Sequence, residues 1–412
     1  GQLTTQYLDG YALALSVFTP LRYIPCKGQV SFFRKVTVRI LTKADAGSQE
    51  ALNHLSVSGN SLIRNRSVAQ NPEMISRYPV MRAPQTSYQY LIISPVSFKN
   101  EFQPLISMYN GKGISARVVT TDSISSTMTG HDLQEKMRNF IIGQHQQFNV
   151  EYVLLAGNPP LVPFRRLHAN VHSGGSIYTD SIPGDLYFSA LDGTYDMNGN
   201  HKYGEEADSV DLLPDISVGR FTVNDTAELH RMMHKTISYQ TNPVLGEMNR
   251  PLLAGEFLYN PPLTFGGSYM NLLINDRSDN GYFTHGIPSA TNNIEKLYDT
   301  VITLSPLNYW SWSASMLLAR INQGKSFIHH LGHANTTYMM RLYMSQITNA
   351  NFAGINGIIH NYQLLYTQGC YCGAFDATGG CIAAKTVTID NFLAACICNS
   401  RYGWFDEGTT EG

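Results

Sequence analysis

Apolar and polar positions alternate in one manner over the first 85 residues and in another beyond them. Near the start, Tyr11-Ala12-Leu13-Ala14-Leu15-Ser16-Val17 and Val36-Thr37-Val38-Arg39-Ile40 read as strands, the second with strict alternation. Ser56 to Gln70 is mostly polar and reads as loop. Residues 1–85 are therefore expected to form a small β-rich extension.

From Tyr88 the rhythm becomes strand, helix, strand. Tyr90-Leu91-Ile92-Ile93 is a short apolar run suited to a buried strand. Phe98, Phe102, Leu105, Ile106 and Tyr109 then recur at helical spacing, and Gly111 and Gly113 stop that helix. Ala116-Arg117-Val118-Val119 is the next strand. Leu133, Met137, Phe140 and Ile141 line one helix face, and Tyr152-Val153-Leu154-Leu155 runs into the loop Ala156-Gly157-Asn158-Pro159-Pro160. This βαβαβ order predicts an α/β fold with mostly parallel sheets flanked by helices. Residues 172–215 read as a long polar excursion, closed by Ile216-Ser217-Val218-Gly219-Arg220. Asp225 and Glu228 make a capping-box-like start for a helix carrying Leu229, Met232, Met233 and Ile237 on one face.

The theme then repeats. Leu252-Leu253-Ala254-Gly255-Glu256 and Ile294-Glu295-Lys296-Leu297-Tyr298 read as strands, and helices are expected from about Gly267 and over Ser313 to Ile321. Strands ending near His333 and Cys370, and a last one over Phe392-Leu393-Ala394-Ala395-Cys396-Ile397, complete the second sheet. The expected division is 1–85 for the extension, 86–245 for a first α/β subdomain and 246–412 for a second.

Two of these strand ends carry chemistry. Phe327-Ile328-His329-His330-Leu331-Gly332-His333-Ala334 and Leu364-Leu365-Tyr366-Thr367-Gln368-Gly369-Cys370-Tyr371-Cys372-Gly373 both stop at a glycine beside a reactive side chain. Open α/β sheets bind ligands at the carboxyl ends of their strands. The 37 residues from His333 to Cys370 are enough for one crossover between neighbouring parallel strands. A thiol beside an imidazole is an activated nucleophile, so Cys370 is the candidate nucleophile. Three histidines compete as its base. His333 is favoured because the preceding glycine ends the strand, whereas His329 and His330 read as packed core histidines. Glu256 ends an apolar strand in the same half and could orient the imidazole or serve as a capping or paired carboxylate.

Composition narrows the field. The 412 residues are 43% hydrophobic and only 15% charged, with a formal net charge of −2. That leaves no basic footprint for nucleic acid, and no run of 18 apolar residues for a membrane span. The start at Gly1 suggests a piece of a longer protein. Five of the six cysteines lie within residues 370–398, too clustered for a disulfide scaffold and lacking the paired spacing of a zinc ribbon. Asp196, Asn198 and Asn200 offer oxygens at alternate positions, as calcium loops do. Counted from Asp196, however, the sixth and twelfth places hold His201 and Ala207 instead of Gly and Glu. A solvated turn is the favoured reading, and the metal assignment is open.

The stretches Leu331-Gly332-His333-Ala334 and Gly369-Cys370-Tyr371-Cys372-Gly373-Ala374-Phe375-Asp376 together resemble the gingipain family of cysteine peptidases, whose fold is caspase-like. Tyr152-Val153-Leu154-Leu155-Ala156-Gly157, Gly184-Asp185-Leu186-Tyr187, Pro214-Asp215-Ile216-Ser217-Val218-Gly219-Arg220 and Asn399-Ser400-Arg401-Tyr402-Gly403-Trp404 extend the likeness over about residues 88–412. The resemblance implies Cys370 as nucleophile, His333 as catalytic histidine and Glu256 as an acid that orients it. It implies oxyanion donors in the backbone N–H groups of Cys370 and Ala334, and substrate contacts from Trp404, Ser400 and Ser268. Ala334 replaces a frequent Gly, and Cys372 a small polar residue. The neighbourhood Gly266-Gly267-Ser268-Tyr269-Met270 has no carboxylate, so arginine preference is not implied.

The resulting expectation is a secreted or surface bacterial endopeptidase that acts on polypeptides through a Cys-His acyl-enzyme and requires no cofactor. Two rivals stand beside it: a catalytically silent homologue that binds peptides or partners, and a metal held by the cysteine cluster.

Overall fold

In a computed structural model of the chain, the described residues are 3–16, 21–43, 46–56, 59–79, 87–173, 175–208, 210–279 and 282–404. Val17 of the first expected strand and the expected boundary at 85/86 lie outside them. The chain forms two compact units. One comprises Gly1–Val96, Tyr109–Leu155 and Pro163–Gly219, the other Ser97–Met108, Ala156–Val162 and Arg220–Gly412.

The first unit begins with two hairpins. Strands β1 (Leu3–Leu8) and β2 (Tyr11–Ser16) pair antiparallel around Asp9-Gly10. Both turn residues have positive φ, 54° and 82°, as a two-residue turn matched to strand twist requires. Strands β3 (Leu21–Ile24) and β4 (Gln29–Phe32) form the second hairpin. The strand expected at Val36–Ile40 is absent: that backbone has no regular structure, and its side chains are exposed. Alternation specifies a strand only where one face is buried. The loop expected over Ser56–Gln70 is corrected too, because Gly59–Val68 is a helix, α1. Its polar residues hold it in place, since Arg64 and Asn65 donate hydrogen bonds to the Asp9 carboxylate. Tertiary contacts here override weak helix propensity.

The sheet of this unit contains β5 (Tyr90–Ser94), which is followed by α2 (Gln103–Gly111), β6 (Ala116–Thr120), α3 (Leu133–Phe148) and β7 (Tyr152–Ala156). β5 pairs in parallel with both β6 and β7. Leu91, Ile92 and Ile93 are fully buried, which is why the strand reads as a continuous apolar run and not as an alternation. The excursion expected at 172–215 is more ordered than its polarity implies. It contains most of an antiparallel hairpin, β8 (Arg165–Ser173) with β9 (Ser176–Gly184). Tyr187, Phe188 and Tyr195 then turn inward, and Arg138 donates to the carbonyls of Tyr187, Ala190 and Asp192. Strand β10 (Ser217–Phe221) completes the sheet in the order β10-β7-β5-β6.

In the second unit, the long segment from Arg220 carries helix α4 (Thr226–Thr241). Asp225 caps it by accepting the Glu228 N–H at 2.8 Å, and Glu228 accepts from the Asn224 N–H at 2.8 Å. The sheet follows: β11 (Leu252–Gly255), short helix α5 (Gly266–Asn271), β12 (Glu295–Tyr298), α6 (Ala314–Ile321), β13 (Phe327–Leu331), β14 (Gln363–Thr367), α7 (Ile382–Thr388) and β15 (Leu393–Cys398). Its order is β12-β11-β13-β14-β15, and every pairing is parallel. From β11 the chain runs outward to β12 and then returns to β13 on the other side. That reversal creates a switch point between β11 and β13, where open α/β sheets leave a crevice. Leu253, Leu258 and Leu331 pack with Met270 of α5 beside it.

Lys235 on α4 is fully buried, and its ammonium donates to the carbonyls of Val387 at 2.6 Å and Ile389 at 2.7 Å, where α7 ends. Burial pushes its pKa down to about 7. Below pH 7 both folded and unfolded chains hold this proton. Between about 7 and 10.5 only the unfolded chain does, so Lys235 makes stability rise with pH by about 1.4 kcal/mol per pH unit. Lys235→Met is expected to lower the melting temperature and to flatten its rise between pH 7 and 10 relative to the parent, as read by thermal unfolding across that range.

Candidate active site

Glu256, His333 and Cys370 each follow a strand of the second sheet by a few residues: β11, β13 and β14. The sequence placed all three at one sheet edge, and the strand order makes them neighbours there. The ladder continues past the formal strand ends, with Glu256 N–H on the Leu331 carbonyl at 2.9 Å and Gln368 N–H on that of His330 at 3.1 Å. Gly332 and Gly369 then turn the chain into loops. A methyl on Gly332 would stand 2.5 Å from the Glu256 side chain and from His330 Nε2, so no larger residue fits there. A methyl on Gly369 would stand 2.5 Å from the Ala334 side chain and 3.6 Å from its backbone nitrogen. The residue after His333 therefore packs directly on the residue before Cys370.

Glu256 is 4% exposed, yet both of its oxygens have partners. One accepts the His333 backbone N–H at 3.1 Å, and the other meets His330 Nε2 at 3.2 Å. Arg341 approaches to 3.9 Å, itself lying 4.0 Å over the Trp312 ring and paired with Asp299. Burial acts to raise the Glu256 carboxyl. It is outweighed by the hydrogen bond from His330, the His333 N–H and the Arg341 charge, which hold the group below its usual range. Glu256 thus grips the His333 main chain, and the imidazole it holds is that of His330. His330 is fully buried, as a packed histidine should be, and its Nδ1 meets Thr367 Oγ1 at 2.8 Å. His329 is packed as well: the Tyr366 ring stands edge-on at 4.9 Å, and burial pushes its pKa down to about 4. Among the three histidines, His333 alone is exposed.

The half-buried Cys370 thiol accepts the Gly403 N–H at 3.4 Å. The segment that brings Gly403 is laced to the Cys370 loop. Tyr371 N–H donates to Arg401 O at 2.7 Å, Gly373 N–H to Asn399 O at 2.9 Å, and the Asn399 amide to Gln368 O at 2.9 Å. The Arg401 guanidinium forks onto Asp376 at 3.0 and 2.8 Å. Tyr371 has φ 56°, the sharp turn that carries the loop past the thiol. The other nearby thiols are of a different kind. Cys372 is buried and donates to Gly369 O at 3.3 Å. Contact with Cys398 pushes Cys396 up, and contact with Cys372 pushes Cys398 up, with burial adding to both, so they remain protonated.

The expected substrate contacts are distributed around this edge. Trp404 is exposed, with its ring 6.0 Å from that of Tyr402. Ser400 is half-buried, and its carbonyl accepts from Arg401 at 2.7 Å. Ser268 is exposed on α5, whose first residue, Gly266, lies against the Leu331 carbonyl. Sequence reasoning missed Thr367, the Gly403 N–H and the Arg401–Asp376 fork. Thr367 could have been found, since it stands 37 residues after His330, the interval that also separates His333 from Cys370. No group of three or more His, Cys, Asp or Glu among the described residues is arranged to hold a metal. In the 196–202 turn, the Asp196, Asn198 and Asn200 oxygens accept the N–H groups of His201, Asn200 and Lys202.

Comparisons with known proteins bear on the fold and the family. Comparison with curated protein sequences gave no match. Among solved structures, the crystal structure of the Arg-specific cysteine proteinase gingipain R (RgpB) aligns with a TM-score of 0.56 at 14% identity, over 79% of this chain and 66% of that one. A chain described as the structure of a protease gives 0.56 at 16% identity, over 80% and 62%. The complex of the Porphyromonas gingivalis RgpB pro- and mature domains gives 0.52 at 16%, over 76% and 64%. This chain thus spans slightly less than two thirds of each of these, and at such identities the likeness is one of fold. In sequence, peptidase family C25 matches residues 83–411. The chain accordingly belongs to peptidase family C25, the gingipain family of cysteine peptidases.

Proposed function

We propose that this chain is a cysteine endopeptidase, acting outside a bacterial cell or at its surface, that cleaves polypeptides through a thiol acyl-enzyme. The observation that carries the reading is the direct packing of Ala334 on Gly369, which places the residues bearing the imidazole and the thiol one step to either side of a shared contact. In this reading the substrate lies along the sheet edge and the Cys370 sulfur attacks the scissile carbonyl. His333 takes the thiol proton and returns it to the leaving amine, and water then hydrolyses the acyl-enzyme. The backbone N–H groups of Cys370 and Ala334 receive the oxyanion. The Gly403 N–H donates to the sulfur at 3.4 Å and helps to fix its position at the loop edge. Trp404, Ser400 and Ser268 contact the substrate, and Glu256 acts on His333 through the main chain. A thiol–imidazole mechanism needs no metal of its own. The extracellular assignment rests on the family. Among the described residues, no helix is long and apolar enough to cross a membrane.

Two measurements check this. Cys370→Ala is expected to abolish cleavage of casein or a peptide library, by about 10⁴-fold or more in kcat/KM; cleavage at the parent rate would refute the assignment of the nucleophile. Limited treatment with iodoacetamide, followed by peptide mass mapping, is expected to label Cys370 well ahead of Cys372, Cys396 and Cys398. Equal labelling of all four would contradict an activated thiol at position 370.

A further inference from the structure

We infer that His330 and Thr367 are positioning residues: with Glu256 they form a hydrogen-bonded brace that fixes the spacing between the His333 loop and the Cys370 loop. The brace can be followed atom by atom. The His333 backbone N–H donates to Glu256 Oε2 at 3.1 Å, and Glu256 Oε1 meets His330 Nε2 at 3.2 Å. His330 Nδ1 meets Thr367 Oγ1 at 2.8 Å, and the same hydroxyl oxygen accepts the Gly369 N–H at 3.0 Å. One end of the chain is thus the backbone of His333, and the other is the residue before Cys370.

The donors and acceptors have a consistent assignment. Glu256 is an ionised carboxylate and can only accept, so His330 Nε2 carries a proton. With the imidazole neutral, Nδ1 is an acceptor and takes the Thr367 O–H. A lone pair of that oxygen remains for the Gly369 N–H. Every polar atom of the brace is then satisfied, as burial demands: Glu256, His330 and Thr367 are 4%, 0% and 2% exposed. The other charged groups nearby are Arg341, 3.9 Å from Glu256, and Asp299, which Arg341 holds.

The brace acts where the sheet no longer can. His330 and Thr367 are opposite each other in the parallel pairing of β13 with β14, and Leu331 and Thr367 are the last residues of those strands. His333 and Cys370 lie beyond, where main-chain pairing between the two strands has ended. Side chains anchored at the last paired position reach forward and hold both loops. A loss of spacing there affects the step in which thiol and imidazole react, and affects substrate binding less.

The kinetic consequence rests on the peptidase reading, whereas the brace itself can be tested without it. Thr367→Val keeps the shape and removes the hydroxyl. Its folding is checked by thermal unfolding, and Thr367→Ser serves as the restoring variant. The expected result is a fall in kcat of about tenfold, the scale of one buried hydrogen bond, with KM changed less than about twofold. The rate of Cys370 alkylation, followed against pH, should shift to higher pH in Thr367→Val and return with Thr367→Ser. Parental kcat and a parental alkylation profile in a folded Thr367→Val protein would overturn the brace. If the parent cleaves no peptide yet the alkylation profiles still differ, the brace stands and the peptidase reading falls. Hydrogen exchange of the parent gives an arm independent of the variant's folding: the His333 and Gly369 amides should be protected although neither lies in a strand, and unprotected exchange at both would equally overturn the proposal.

Discussion

Parallel pairing of Phe327–Leu331 with Gln363–Thr367 is the constraint from which the site follows. In a parallel ladder the offset between partners is constant. His330 opposite Thr367 therefore sets His333 and Cys370 at the same distance along the chain, three residues, from the last shared pairing. A slip of one residue would turn every side chain of one strand to the other face. It would take the His330 ring from Glu256 and Thr367 and leave the buried imidazole unpaired, at about 1–3 kcal/mol for each lost hydrogen bond. The polar contacts inside the sheet thus help to specify the register that the apolar residues alone, rich in interchangeable Leu and Ile, would specify less sharply.

The site also sorts its ionisable groups by environment. Glu256 stays charged despite burial because His330, Arg341 and the His333 N–H surround it. Three of the cysteines near the thiol loop are engaged otherwise: Cys372 donates to a carbonyl, while Cys396 and Cys398 share contacts between thiols whose effect outweighs the Lys235 charge near Cys396. Cys370 differs in facing a backbone donor at a loop edge. Cysteines close in sequence therefore sit in unlike environments. The position of each relative to the strand ends decides its chemistry.

Much of this was legible beforehand, for identifiable reasons. Short runs such as Tyr90–Ile93 and Leu252–Gly255 are buried on both faces, so their apolar continuity announces parallel strands. Gly332 and Gly369 mark points where the chain must pass close to other atoms, which made the reactive strand ends visible. What stayed hidden depends on partners remote in sequence. The polar helix Gly59–Val68 is held by Asp9, and the apolar face of Val36–Ile40 finds no cover. Glu256 was legible as a carboxylate near the site, but its choice of the His333 main chain and the His330 ring is a matter of angstroms that spacing does not encode.

The lacing of Asn399–Gly403 onto the thiol loop has a consequence for how the protein is made. Synthesis delivers Glu256, His333 and Cys370 to the growing chain well before the residues that finish their surroundings. A nascent polypeptide halted short of Asn399 would carry every reactive side chain and still lack the N–H that meets the sulfur, the fork that clamps Asp376, and the edge strand's exit. Since domains fold largely as units during translation, the surroundings of the Cys370 thiol are completed only once this late segment has emerged and docked. The order of the sequence thereby leaves the thiol loop unfinished until the sheet around it is complete.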